Sequence, residues 1–119
     1  MADFNVNLRD VGPVSVIDVK GYLDAHTAPE LENVFNKLID GKQFRVVVNF
    51  DELKYISSAG LGVFMAYVET MRENNGDIKF SNMKENVYNI FDLLGFPILY
   101  EFFKNEEEAI KKFLEAQKS

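Results

Sequence analysis

Cysteine and tryptophan are absent from the 119-residue chain, histidine occurs once, at His26, and proline three times. Without thiols there is no disulfide framework, thiolate nucleophile or cysteine zinc site, and one imidazole cannot make a histidine-rich metal centre. No metal and no cofactor are expected. Long apolar runs are missing too: no stretch approaches the ~18 residues of a membrane span. The N-terminus, MADFNVNLRD, carries neither a basic region nor an apolar run of signal length, so the expectation is a soluble, cytoplasmic protein. Positive charge is the minority sign, with 13 Lys and Arg against 19 Asp and Glu, a net −6. The basic residues are scattered, so the field opposes nucleic acid but permits steering towards a basic protein partner.

What is present is an ordinary globular composition, 47% apolar, which fits a single domain spanning residues 1–119 with its core at about 4–116. Phe4 to Arg9 and Val14 to Val19 alternate or run apolar around Gly12-Pro13 and read as a hairpin. Thr27, Pro29 and Glu30 have the spacing of a capping box. Leu31, Val34, Phe35, Leu38 and Ile39 follow at helical spacing, and the helix ends before Gly41. The unbroken Val46-Val47-Val48 within Phe44 to Phe50 suits a central strand covered on both faces. A second helix is predicted from Ser58 to Asn74, with Leu61, Phe64, Met65, Val68 and Met71 inward, stopped by Asn74-Asn75-Gly76.

Beyond it come a strand from Asp77 to Asn82, then a helix from Lys84 to Leu94 with Val87, Ile90, Phe91 and Leu94 inward and Gly95 as its stop. A last strand is placed at Ile98 to Phe102. Asn105 and Glu108 cap a terminal helix that buries Ala109, Ile110, Phe113 and Leu114. One Phe of the Phe102-Phe103 pair should face outward. The order ββαβαβαβα gives an α/β fold: a mixed, mostly parallel sheet with an N-terminal hairpin and about four helices. Ligands and partners of such sheets meet the carboxyl ends of the parallel strands. Ser57 and Ser58 fall there.

A serine at a helix start is, first, a capping residue, whose oxygen accepts an N–H two or three positions on. The unpaired N–H groups of the first turn and the helix dipole also favour an anion, so a phosphate on Ser57 or Ser58 would be well placed. Gly60 and Gly62 each cost the helix ~1 kcal/mol relative to Ala. They serve either a partner's close approach or tight packing against a neighbouring loop. Asp24 is readable as a turn carboxylate preceding the Thr27 cap. A Ser58–His26–Asp24 hydrolase triad is disfavoured, because neither a G-x-S-x-G elbow nor an oxyanion loop is present. Gly60-Leu61-Gly62 lacks the third glycine of a dinucleotide loop and the Lys of a P-loop. No catalytic residue is assigned.

The segment KYISSAGLGVF resembles the signature of STAS-family anti-sigma factor antagonists, in which Asp-Ser-Ser/Thr-Gly-Leu-Gly opens the second helix and the serine after the aspartate is phosphorylated. GYLDAHTAPEL and NVYNIFDLLGFPILYEFF resemble two further family segments in the right order. The resemblance implies phosphorylation at Ser58, with Ser57 a secondary candidate standing where the family usually has aspartate and Ala59 where a second Ser or Thr often stands. It implies a partner surface of Asp24, His26, Thr27, Ser57, Ser58, Ala59, Gly60, Leu61 and Gly62. The implied partners are an anti-sigma factor serine kinase, released on phosphorylation, and a metal-dependent serine phosphatase, in a non-enzymatic bacterial partner switch. The alternative is a STAS ligand-sensing or scaffold module working without phosphorylation. The oligomeric state stays open.

Overall fold

A computed structural model of the protein describes residues 3–118; Met1, Ala2 and Ser119, which the expected domain and N-terminal reading include, lie outside the described residues. Strands β1 (Phe4–Val11) and β2 (Val14–Leu23) form the antiparallel hairpin, turning at Gly12, whose φ of 61° is open to glycine at little cost. There follow α1 (Ala28–Asp40), β3 (Arg45–Ile56), α2 (Ser58–Glu73), β4 (Asp77–Ser81), α3 (Glu85–Leu93), α4 (Phe96–Leu99), β5 (Phe102–Phe103) and α5 (Glu106–Lys118). The sheet order is β1-β2-β3-β4-β5, parallel from β2 onwards. This is the expected mixed α/β sheet with its hairpin.

The valine run of β3 explains the layering. Val46 and Val48 pack into one core with Leu31, Phe35, Phe64 and Phe91 from α1, α2 and α3. Val47 points the other way, into a smaller cluster with Val14, Val16, Ala109 and Phe113 of α5. Phe64 holds α2 in register, its ring 5.1 Å from that of Phe80 and 5.7 Å from that of Phe50, both edge-on. Such pairs add about 0.5–1.5 kcal/mol each beyond the area they bury. On the opposite face, Arg9 donates from Nε and Nη2 to Asp18 at 2.7 and 2.9 Å. It also reaches Glu106 at the start of α5 at 2.7 Å. These bonds from Arg9 outweigh burial and hold the Asp18 carboxyl below its usual range. Lys79, itself buried, pairs with Asp77 and Glu101 and lies over the Phe113 ring at 4.6 Å, tying α5 down at a second point.

Several boundaries differ from those the sequence suggests. The strand expected at Ile98 to Phe102 is replaced by the single turn α4 and the two-residue β5. Gly95 at φ 78° reverses the chain and Pro97 suits a first helical turn. The Tyr100 N–H then bonds to the Phe96 carbonyl. The outward Phe of the Phe102-Phe103 pair is not open, because Phe102 packs on the larger core and Phe103 on the smaller, under α5. Thr27 makes no side-chain cap; its hydroxyl donates to the Tyr22 carbonyl and accepts from Asp24 N–H, both at 2.9 Å. Met65, Leu94 and Leu114, placed inward by spacing, are exposed. Helical periodicity marks the apolar stripe but not how far neighbouring layers reach across it.

Candidate functional site

The parallel register of β2 and β3 runs out with Leu23 beside Ile56, so both strands deliver their next residues to one edge of the sheet. Ser57 N–H donates to the Leu23 carbonyl at 2.9 Å, which stitches the two exits together. Asp24 and Ser58, each the next residue along, therefore flank one hydrogen bond. Ser57 is extended (φ −98°, ψ 174°) and is the N-cap of α2; its Oγ accepts from Gly60 N–H at 3.5 Å, long for a cap, while its carbonyl takes Leu61 N–H at 3.0 Å. Ser58 is the first residue of the helix and exposed, as is Ala59. The capping is done by Ser57, which leaves the exposed Ser58 outside the cap, in a first helical turn whose N–H groups lack intrahelical acceptors.

Packing accounts for one of the two glycines. A Cβ on Gly60 would stand 2.8 Å from Leu23 Cγ, 2.9 Å from Ile56 Cγ1 and 3.1 Å from the Leu23 carbonyl oxygen, whereas on Gly62 it would meet nothing within 4 Å. Gly60 thus lets α2 settle onto the β2 and β3 exits, the packing alternative rather than access for a partner. Only Gly62 leaves space on the outside. Leu23 is the residue that spacing alone does not single out, since its role depends on strand register.

The turn beside the serines is also built by specific bonds. Asp24 Oδ1 accepts from His26 N–H at 2.9 Å and Thr27 N–H at 3.2 Å, and the Asp24 carbonyl accepts Ala28 N–H at 2.8 Å, so Asp24 does the local capping that the sequence suggests for Thr27. His26 is exposed and Asp24 half-buried. Thr27, Gly60 and Leu61 are buried, so they shape this surface from beneath. Four surface grooves among the described residues lie around Arg9, Phe4, Arg45 and Met65, and these four are not lined by Asp24, Ser57 or Ser58. The edge offers a hydroxyl on a surface, an arrangement suited to a macromolecule. Among the described residues no group of three or more His, Asp or Glu could hold a metal, and no helix is long and apolar enough to cross a membrane.

Comparison with known domains identifies the family: the STAS domain model matches residues 5–109. The chain belongs to the STAS domain family. The anti-sigma-B factor antagonist of Staphylococcus epidermidis is 29% identical over 93 residues, covering 76% of this chain and 86% of that protein. An anti-sigma factor antagonist from Mycobacterium paratuberculosis superposes with a TM-score of 0.85 at 20% identity, covering 93% of this chain and 94% of that one. The Bacillus cell fate determinant SpoIIAA in its phosphorylated form gives 0.72 at 22% identity, over 91% of this chain and 98% of that one. The two solved structures establish the STAS fold. The curated relative adds the anti-sigma antagonist branch as the one this sequence is most usefully compared with.

Proposed function

We propose that this STAS domain is a cytoplasmic, non-enzymatic anti-sigma factor antagonist switched at Ser58. Unmodified, it binds an anti-sigma factor serine kinase and so frees a sigma factor. In the kinase complex, Ser58 Oγ attacks the γ-phosphorus of the kinase's ATP. The Oγ–P bond forms as the bond to ADP breaks, and the hydroxyl proton passes to a kinase base. A metal-dependent serine phosphatase reverses the change by hydrolysis, water supplying the oxygen of the released phosphate. ATP and metal belong to those partners.

The observation that carries this reading is the division of labour at the start of α2: Ser57 caps, and Ser58 is left exposed at an edge shared with Asp24 and His26. A phosphate there adds about −1.5 to −2 charge beside free N–H groups that can hold it. The domain need not refold. The added charge alters the surface a partner must desolvate, so binding changes through electrostatics. Ser57 brings no charge where the family's usual aspartate would, and Asp24 supplies a carboxylate on the same edge.

Phosphate transfer tests it. Incubated with its anti-sigma factor kinase and ATP, the chain should gain one phosphate, mapped by mass spectrometry to Ser58. Ser58→Ala should gain none yet still bind the kinase, and Ser58→Asp should keep its unfolding midpoint but lose binding. Phosphate on Ser57, or none at all, would overturn the assignment.

A further inference from the structure

An uncovered apolar surface lies away from the serine edge, where α2 passes α4. Met65 and Val68 of α2 and Leu99 of α4 line a groove of about 500 Å³ with Tyr100, whose buried hydroxyl has no partner among the described residues. Two of the groove's aliphatic residues are well exposed, Met65 at 58% and Leu99 at 57%, and the adjoining α3–α4 segment adds Leu94 at 59% and Ile98 at 88%. Met65 and Leu94 are residues that periodicity alone would bury, and Ile98 one that it would put in a strand. Exposed aliphatic side chains gathered in this way mark a contact surface more often than scattered single ones do.

The chemistry of the rim identifies the occupant. Glu69 and Glu73 of α2 border the groove. Its one cation, Arg72, is already committed: Nε donates to Asp77 at 2.9 Å, Nη2 donates to the Leu99 carbonyl, and the guanidinium lies 5.5 Å from the Tyr100 ring centre. The charge left for a visitor is negative. A second copy would bring the same glutamates face to face across a two-fold axis, in a chain of net charge −6. Residues 65, 68–69 and 72–73 repeat at helical spacing, a stripe of about 12 Å that matches two to three turns of a docked helix.

We propose that this groove docks an amphipathic helix of a protein partner, with aliphatic side chains in the groove and lysine or arginine against Glu69 and Glu73, independently of Ser58. Met65 stands about 10 Å along α2 from Ser58 and Arg72 about 21 Å, so an occupant need not touch the serine edge. The site is thus a second contact surface rather than part of the switch.

The probe is a fluorescein-labelled 18-residue peptide of leucine and lysine, with leucine at helical spacing, titrated by anisotropy at physiological salt. A leucine–glutamate peptide of the same pattern is the control. The leucine–lysine peptide should bind at one saturable site. Met65→Ser with Leu99→Ser should weaken it at least tenfold, as should Glu69→Lys with Glu73→Lys, while Ser58→Asp leaves it unchanged. Both altered residues of the first pair are exposed, and an unchanged urea midpoint verifies the fold. Equal binding by the serine double variant, equal binding of the leucine–glutamate peptide, or no binding by the wild-type chain would overturn the proposal. So would a dimer in sedimentation that Met65→Ser with Leu99→Ser dissociates, which would assign the groove to a second copy.

Discussion

Replacing Gly60 by alanine sets two known effects against each other at the start of α2. Alanine stabilises a helix interior by about 1 kcal/mol relative to glycine, and Gly62, two positions on, should show that gain, because its added methyl meets nothing within 4 Å. At Gly60 the same methyl enters 2.8 Å from Leu23 Cγ and 2.9 Å from Ile56 Cγ1, against the ~3.5–4.0 Å of relaxed carbon contacts. Neither neighbour can swing away freely, since both side chains are buried, and the Leu23 carbonyl at 3.1 Å belongs to the backbone that receives Ser57 N–H. Overpacking of this kind costs about 1–3 kcal/mol. Gly60→Ala should therefore be neutral to about 2 kcal/mol destabilising and Gly62→Ala about 1 kcal/mol stabilising. Urea titration with unchanged m-values measures the difference. A Gly60→Ala protein as stable as Gly62→Ala would refute the packing role, and with it the claim that Gly60 sets the distance between α2 and the Asp24 turn.

Further outcomes follow from the charged and aromatic groups. Asp18→Asn should cost about 1–3 kcal/mol at pH 7, read from urea midpoints, by weakening the bonds from Arg9. The carboxyl's native pKa is depressed, so this stabilisation is present above about pH 4, where the unfolded carboxylate is ionised, and fades as pH falls through the native value. Wild type and variant should converge in acid. A gap that stays constant down to pH 2 would contradict it. Burial raises the Tyr100 phenol from 10.0 to about 12. Because the raised group stays neutral in the fold, its contribution is whole below pH 10 and is lost as pH climbs towards 12, a loss on the order of 2 kcal/mol. Tyr100→Phe should flatten the alkaline part of the stability curve, measured alongside phenolate absorbance, and an unchanged curve would contradict the assignment.

Much of the fold is legible in the chain because its signals are local and redundant. Val46-Val47-Val48 identifies the central strand, and each valine lies in the core cluster that alternation assigns it. Asn105 accepts Glu108 N–H at 2.9 Å, the capping bond that their spacing suggests. The errors arise where an answer depends on what lies across the fold. Thr27 has the spacing of a capping box, yet its hydroxyl is taken by Tyr22 and the turn is capped by Asp24. Met65 and Leu94 satisfy helical periodicity, yet both side chains stand more than half exposed. At the candidate site the serine–glycine segment is plain in the sequence, whereas the reason for Gly60 is not. That reason is Leu23, brought beneath it by the register of β2 on β3.

On the proposed switch, one covalent charge at Ser58 controls partner affinity without refolding the domain. Its most direct test is calorimetric titration of the anti-sigma factor kinase with the unmodified chain and with chain phosphorylated at Ser58, both of equal urea midpoint. A phosphate that must be desolvated without a matching cation should cost about 2 kcal/mol or more, an affinity loss of about 30-fold or greater. Equal affinity of the two forms would rule out Ser58 as the switch.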